Sequence, residues 1–211
     1  MGQPIHSKLI NAAAREILNP IGLQQKGQSR LWLDDHGWWL ILVEFQPSSR
    51  EPGAFLNVGL NWLWSERNYF AYDEGHRVGR FTEFQTEEQF VIEIKRVVRR
   101  AAKEIQNNRR TYSSIEAAAR LLGRKWNKDS WGRYHAAVAA GLCGKHNQAT
   151  RFFNELIQEP SHTEWHKLLK QRAVQLMGSL DDMDELRHRI NGLVIQTRNQ
   201  LGLGQWDLPY L

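Results

Sequence analysis

Gly144, Ala149, Phe153 and Pro160 constrain the fold more than any other set of residues. They lie in GLCGKHNQATRFFNELIQEP at the spacing of a helix–turn–helix repeat. A Gly supplies the turn, a small residue follows at the helix crossing, an aromatic fills the space between helices, and Pro ends the second helix. Gly178 falls 34 residues after Gly144, the period of tetratricopeptide-type hairpins. One step earlier, Arg110 falls in a break between two helical stretches. The C-terminal half therefore reads as about six helices packed as three hairpins in register.

The helical stretches follow from apolar spacing. Thr86 with Gln89 predicts a capping box for a helix over 86–108, with Phe90, Ile94, Val97, Val98, Ala101 and Ile105 inward. A short helix runs from Ser114 to a closing Gly123 and buries Ile115, Ala118, Ala119 and Leu122. Asp129 or Ser130 caps the next, with Trp131, His135, Val138 and Leu142 inward. Further helices span about 146–158, 162–177 and 181–201. The tail GLGQWDLPYL is expected to pack back or to meet a partner.

The N-terminal half has a different texture. Ile5, Leu9, Ile10, Ala13 and Ile17 form one face of a helix over 4–18, ended by Asn19-Pro20. Arg30–Leu33 reads as a short strand, residues 34–37 as a turn, and Trp38–Gln46 as a central strand buried on both faces. Ala54–Trp64 alternates: Leu56, Val58, Leu60, Trp62 and Trp64 on one side, Asn57, Gly59 and Asn61 on the other. Residues 65–85 have neither period and read as a long functional loop. The expected fold is α+β: a helix on an antiparallel meander of three or more strands over 1–85, then a helical-hairpin domain over 86–211.

Composition excludes several classes. The chain has 211 residues, 41% hydrophobic and 24% charged, ordinary for a globular protein. No apolar run approaches the roughly 20 residues of a spanning helix. The N-terminus shows no signal-peptide core, and His6 stands where myristoylation wants Ser or Thr. These features predict a cytoplasmic protein with no membrane contact. A single cysteine, Cys143, excludes disulfides and cysteine-based zinc sites within the chain and reads as a small buried residue.

Familiar chemistry is missing. GxGxxG, GxxxxGK[ST] and GxSxG do not occur. His162 and His166 stand at i, i+4, but the motif is HTEWH rather than HExxH. Glu164 would point away from a metal on that face, so both read as surface histidines. Asp34-Asp35, Glu87-Glu88 and Asp181-Asp182 suit turns and helix starts. The sequence thus predicts no catalytic, cofactor-binding or metal-binding residues.

What remains is a binding signature. The long loop combines aromatics and arginines: Trp64, Arg67, Tyr69, Tyr72, Arg77 and Arg80, the composition of interface hot spots. Net charge is +5, and residues 86–128 alone hold eleven Lys and Arg against five Glu. Arg96, Arg99, Arg100 and Lys103 form a basic stripe beside the apolar one. It reads first as a solvated face and, alternatively, as a nucleic-acid contact.

Residues 17–81 resemble a bacterial family, domain of unknown function 4304. The likeness rests on Gly22, Lys26 and Gly27; Phe45, Gln46 and Ser48; Phe55, Asn57 and Gly59; and Arg77 with Gly79. It implies no activity, cofactor or catalytic residue. The function expected from the whole sequence is non-enzymatic protein binding, as an adaptor or immunity-type module. Nucleic-acid binding through the helix over 86–108 and the loop over 64–81 is the alternative. A third is an enzyme using Glu44, Asn57, His76 and Arg77.

Overall fold

The computed structural model describes residues 4–125 and 129–206. Those residues form α1 (Ile5–Leu18), β1 (Gln24–Gln25), β2 (Leu31–Asp35), β3 (Trp39–Pro47), β4 (Gly53–Trp62), β5 (Glu74–Arg77) and β6 (Thr82–Glu83). Six helices follow: α2 (Glu87–Thr111), α3 (Ile115–Lys125), α4 (Ser130–Leu142), α5 (His146–Gln158), α6 (Glu164–Met177) and α7 (Met183–Gln200). The class is α+β, as the hydrophobic patterns predict. No described helix is long and apolar enough to cross a membrane.

The chain divides into two compact units, and the division does not fall at 85/86. One unit is Met1–Asn61 with Ala71–Arg110; the other is Trp62–Phe70 with Thr111–Leu211. The long helix α2 thus counts with the sheet, and a short segment after β4 counts with the helices.

In the first unit the sheet order is β1-β2-β3-β4-β5, with β6 also pairing β4. Trp39–Val43 of β3 is buried throughout, as expected of a central strand. Strand β2 extends to Asp35, two residues past the predicted end, because Asp34 and Asp35 pair with Ile41 and Leu40. The region read as one irregular loop contains β5 and β6. Their sequences, EGHR and TE, have no apolar alternation, so only the register against β4 makes them strands. The core stripe of α2 is the predicted one. Thr86 caps it by accepting from Gln89 N at 3.2 Å, while Gln89 reaches back to Gln85 N at 3.3 Å.

Arg109, in the last turn of α2, forks onto Asp34: Nε donates to Oδ2 at 2.8 Å and Nη2 to Oδ1 at 2.9 Å. Burial pushes the Asp34 carboxyl up, but hydrogen bonds from His36 and Arg109 outweigh it and hold the group below its ordinary range. Two further side-chain contacts link α2 to its unit: the Lys95–Glu16 ion pair at 2.6 Å, and His76 Nε2 at 2.9 Å from Glu104 Oε2.

In the second unit, α3 packs on α4, α4 on α5 and α5 on α6, while α7 packs on α4 and on the Leu63–Ser65 turn. The Gly144 turn is a Schellman cap. Gly144 sits at φ 67°, its N–H donates to Gly141 O at 2.9 Å, and Lys145 N–H donates to Ala140 O at 2.9 Å. Ala149 and Phe153 are fully buried. Gly178 is different: it caps α6 at φ −66°, so the 34-residue spacing marks two helix ends with unlike turn chemistry. Helix α3 runs two residues past Gly123 to Lys125, because Gly123 has ordinary helical geometry rather than a left-handed cap.

His166 is not the surface residue its sequence suggests. It is buried, with Nε2 3.1 Å from Glu159 Oε2. Glu159 also accepts from Ser130 Oγ at 2.5 Å and pairs with Arg133 at 2.7 Å, tying α4 and α6 to the end of α5. Cys143 is half-buried at the end of α4; burial, then the nearby Glu116, push its thiol up, which favours an inert role. The tail beyond Trp206 lies outside the described residues.

Candidate functional site

The segment Trp62–Phe70 builds the most distinctive surface of the second unit. Alternation stops at Trp62, and Leu63–Ser65 forms a 3-10 turn. Glu66 then takes a left-handed backbone at φ 53°, the one described non-glycine residue with positive φ. That conformation costs a side-chain-bearing residue roughly 1–2 kcal/mol, so its surroundings must hold it. The Glu66 carboxylate pairs with Arg172 of α6 and accepts from Gln196 Nε2 of α7 at 2.9 Å. Arg172 Nη1 also donates to Ser65 O at 2.9 Å, and Tyr134 OH to Trp64 O at 3.1 Å.

Below this segment runs a ladder of rings. Trp62 and Trp64 stack at 5.4 Å, and Trp64 Nε1 donates to His135 Nδ1 at 3.0 Å. His135 stacks on Trp131 at 5.6 Å, and Trp131 on Trp165 at 6.2 Å. The Arg67 guanidinium lies 3.6 Å above the Trp131 ring. The ladder begins in the core, where Trp62 and Trp64 are fully buried, and ends at Trp165, which is 49% exposed.

Around its outer end lies an open cleft of about 310 Å³. Trp131, Trp165, Leu168 and Tyr69 supply its apolar wall; Ser65, Glu66 and Arg172 supply its polar floor. Trp165, Leu168 and Arg172 recur at i, i+3 and i+7 on α6, beside the buried line of His166, Leu169, Ala173 and Leu176. Leu168 is 49% exposed and Tyr69 59%. Glu66 and Arg172 neutralise each other, so the floor presents a paired charge rather than a lone acid or base.

The residues singled out from the sequence are dispersed. Trp64 is a core residue with nothing to offer a partner, because it belongs to the turn after β4 rather than to the strand's alternating face. Arg67 is nearly buried against Trp131. Tyr69 alone of the loop aromatics lines the cleft. Tyr72 belongs to the first unit, where its ring covers the cross-strand pair Gly59 and Gly75. Burial, then Glu44, raise its phenol well above the ordinary value. Arg77 lies over Phe55, 4.0 Å from the ring centre, and donates to Gln46 Oε1 at 3.4 Å. Arg80, Arg96, Arg99, Arg100 and Lys103 are exposed.

The four residues of the enzyme alternative do not all lie on one face of the sheet. Asn57 and Arg77 share Gln46 as partner on one face of the sheet. His76, one residue from Arg77 on the same strand, alternates to the other face and meets Glu104 of α2. Among the described residues no three His, Cys, Asp or Glu gather in a way that could hold a metal.

Sequence reasoning missed Trp131, Trp165 and Leu168 as surface residues. The signal was present in part: Trp165 and Leu168 flank the apolar line of α6, where polar residues would be expected. No family model, no curated protein and no solved structure matches this chain.

Proposed function

We propose that this protein is a non-enzymatic recognition module whose cleft receives an apolar segment of a partner protein. The observation that carries the reading is the exposed Trp165–Leu168–Tyr69 surface beside Trp131, whose ring meets the Arg67 guanidinium, His135 and Trp165. Rigid aromatic anchors lose little conformational entropy on binding, and Trp, Tyr and Arg dominate interface energetics. The paired Glu66 and Arg172 would satisfy polar groups at the floor without leaving a buried charge alone. A cytoplasmic adaptor or an immunity-type module would use such a cleft in the same way.

The test is affinity capture from an extract of the source cells with wild type and a Trp165→Ala/Leu168→Ala variant. Both positions are half exposed, so the variant is expected to melt within a few degrees of wild type. A protein held by wild type and weakened tenfold or more in the variant supports the reading. An identical set of captured proteins, held equally well, overturns it.

A further inference from the structure

The first unit carries a separate surface that the cleft does not explain. Helix α2 buries Phe90, Ile94, Val97, Val98, Ala101 and Ile105 along one side. On the opposite side, at steps of 3, 4 and 7, stand Arg96, Arg99, Lys103 and Arg110, all exposed. The row spans about 21 Å at 1.5 Å per residue. No acidic residue occupies it. The nearest carboxylates on the helix, Glu93 and Glu104, lie toward its flank, and Glu104 Oε2 is 2.9 Å from His76 Nε2.

Exposed arginines on a helix ordinarily find carboxylates at i±3 or i±4. Here Arg80, Arg96, Arg99, Arg100 and Lys103 have no ion-pair or hydrogen-bond partner among the described residues. Arg100 stands beside the row and extends it toward the sheet: its Nη1 lies 3.8 Å from the position a Cβ on Gly79 would take. Arg80 follows Gly79 directly. The helix cations therefore reach the turn that carries Arg80.

We infer that this face binds the phosphate backbone of a double-stranded nucleic acid, without reading its sequence. A duplex carries about one negative charge per 1.7 Å of axis with both strands counted, so about 21 Å of it holds roughly a dozen phosphates, of which one side faces the row. The neighbouring rings argue against a single strand, which needs free aromatic faces to stack on. Phe55 is covered by Arg77 and packs against Phe81, so Tyr72, 39% exposed over the Gly59–Gly75 trench, falls short of the run of stacking faces a single strand uses. Arginine and lysine without a stacking platform match phosphate contact alone.

The experiment is fluorescence anisotropy of a labelled 20-base-pair duplex of arbitrary sequence with the full chain, from about 50 to 200 mM salt. Micromolar binding is expected at the low end, with log K falling against log salt at a slope near −4. About four phosphate contacts would give that slope. Arg96→Gln/Arg99→Gln/Lys103→Gln should lower the slope by about 3 and weaken binding at least tenfold, with an unchanged circular-dichroism spectrum. Arg96→Lys/Arg99→Lys should keep the slope, since a phosphate point contact needs the charge rather than the fork. Three results would each overturn the inference: no duplex binding at 50 mM salt, an unchanged slope in the triple Gln variant, or binding only to the matching single strand or to phosphatidylserine vesicles. The cleft variant Trp165→Ala/Leu168→Ala leaves all these charges in place, so the two surfaces are tested independently.

Discussion

Two residues in the sheet unit show how a single position sets local stability. Gly59 and Gly75 face each other across β4 and β5, and Tyr72 fills the space that their missing side chains leave. A Cβ on Gly59 would fall 2.3 Å from Tyr72 Cδ1 and 2.4 Å from the Glu74 carbonyl oxygen. The ring could move aside, but the backbone could not. Gly59→Ala is therefore expected to cost about 3 kcal/mol in urea unfolding, at the upper end for an overpacked site. Asp34 is the second case. Its carboxylate, largely buried, accepts both arms of the Arg109 fork. Asp34→Asn should cost about 2 kcal/mol near neutral pH, less than a fully buried pair because Arg109 retains some solvent. The folded-state pKa is depressed, so this stabilisation is full above the unfolded value near 4 and is lost as pH falls through the folded one. The stability gap between wild type and variant should accordingly narrow in melts taken below about pH 4.

At the scale of elements, the turn after β4 does more than connect. Ser65 and Glu66 share Arg172, Glu66 also meets Gln196, and Arg67 meets Trp131. Glu66→Ala removes the carboxylate from a mostly buried Arg172 and should cost about 2 kcal/mol. Glu66→Gly removes the same carboxylate but relaxes the left-handed backbone, so it should be about 1 kcal/mol more stable than the Ala variant. Equal stabilities in chemical denaturation would show that the backbone at Glu66 is not strained. The two tryptophans of the cleft should separate in the same way. Trp131 packs against Arg67 and His135, and its replacement by Ala should cost about 3 kcal/mol. Trp165→Ala, at a half-exposed site, should cost about 1 kcal/mol and act on binding instead.

For the whole molecule, the decisive fact is that each compact unit is discontinuous in sequence. A cut at 85/86, where the hydrophobic pattern changes, would leave 1–85 without α2 and 86–211 without Trp62–Phe70. The second fragment would lose the Trp64 donor of His135 and both Ser65 and Glu66 as partners of Arg172. Neither fragment should show the cooperative thermal transition of the intact chain by circular dichroism, and a sharp native-like transition in either would show that the missing segment is dispensable. The helices, the Thr86 and Gly144 caps, the core stripe of α2 and the buried central strand were legible in the residue order alone. Each follows from contacts within a few positions: 3.6- or 2-residue apolar spacing, Thr86 to Gln89, Gly144 to Gly141. The polar edge strands β5 and β6, the company kept by Trp62–Phe70, and the choice of Trp165 rather than Trp64 as the exposed ring were decided only in tertiary structure. Trp64 and His135 stand 71 positions apart, and Arg109 and Asp34 stand 75. No local period encodes such pairs, because a side chain's burial depends on which distant surface covers it rather than on its neighbours along the chain.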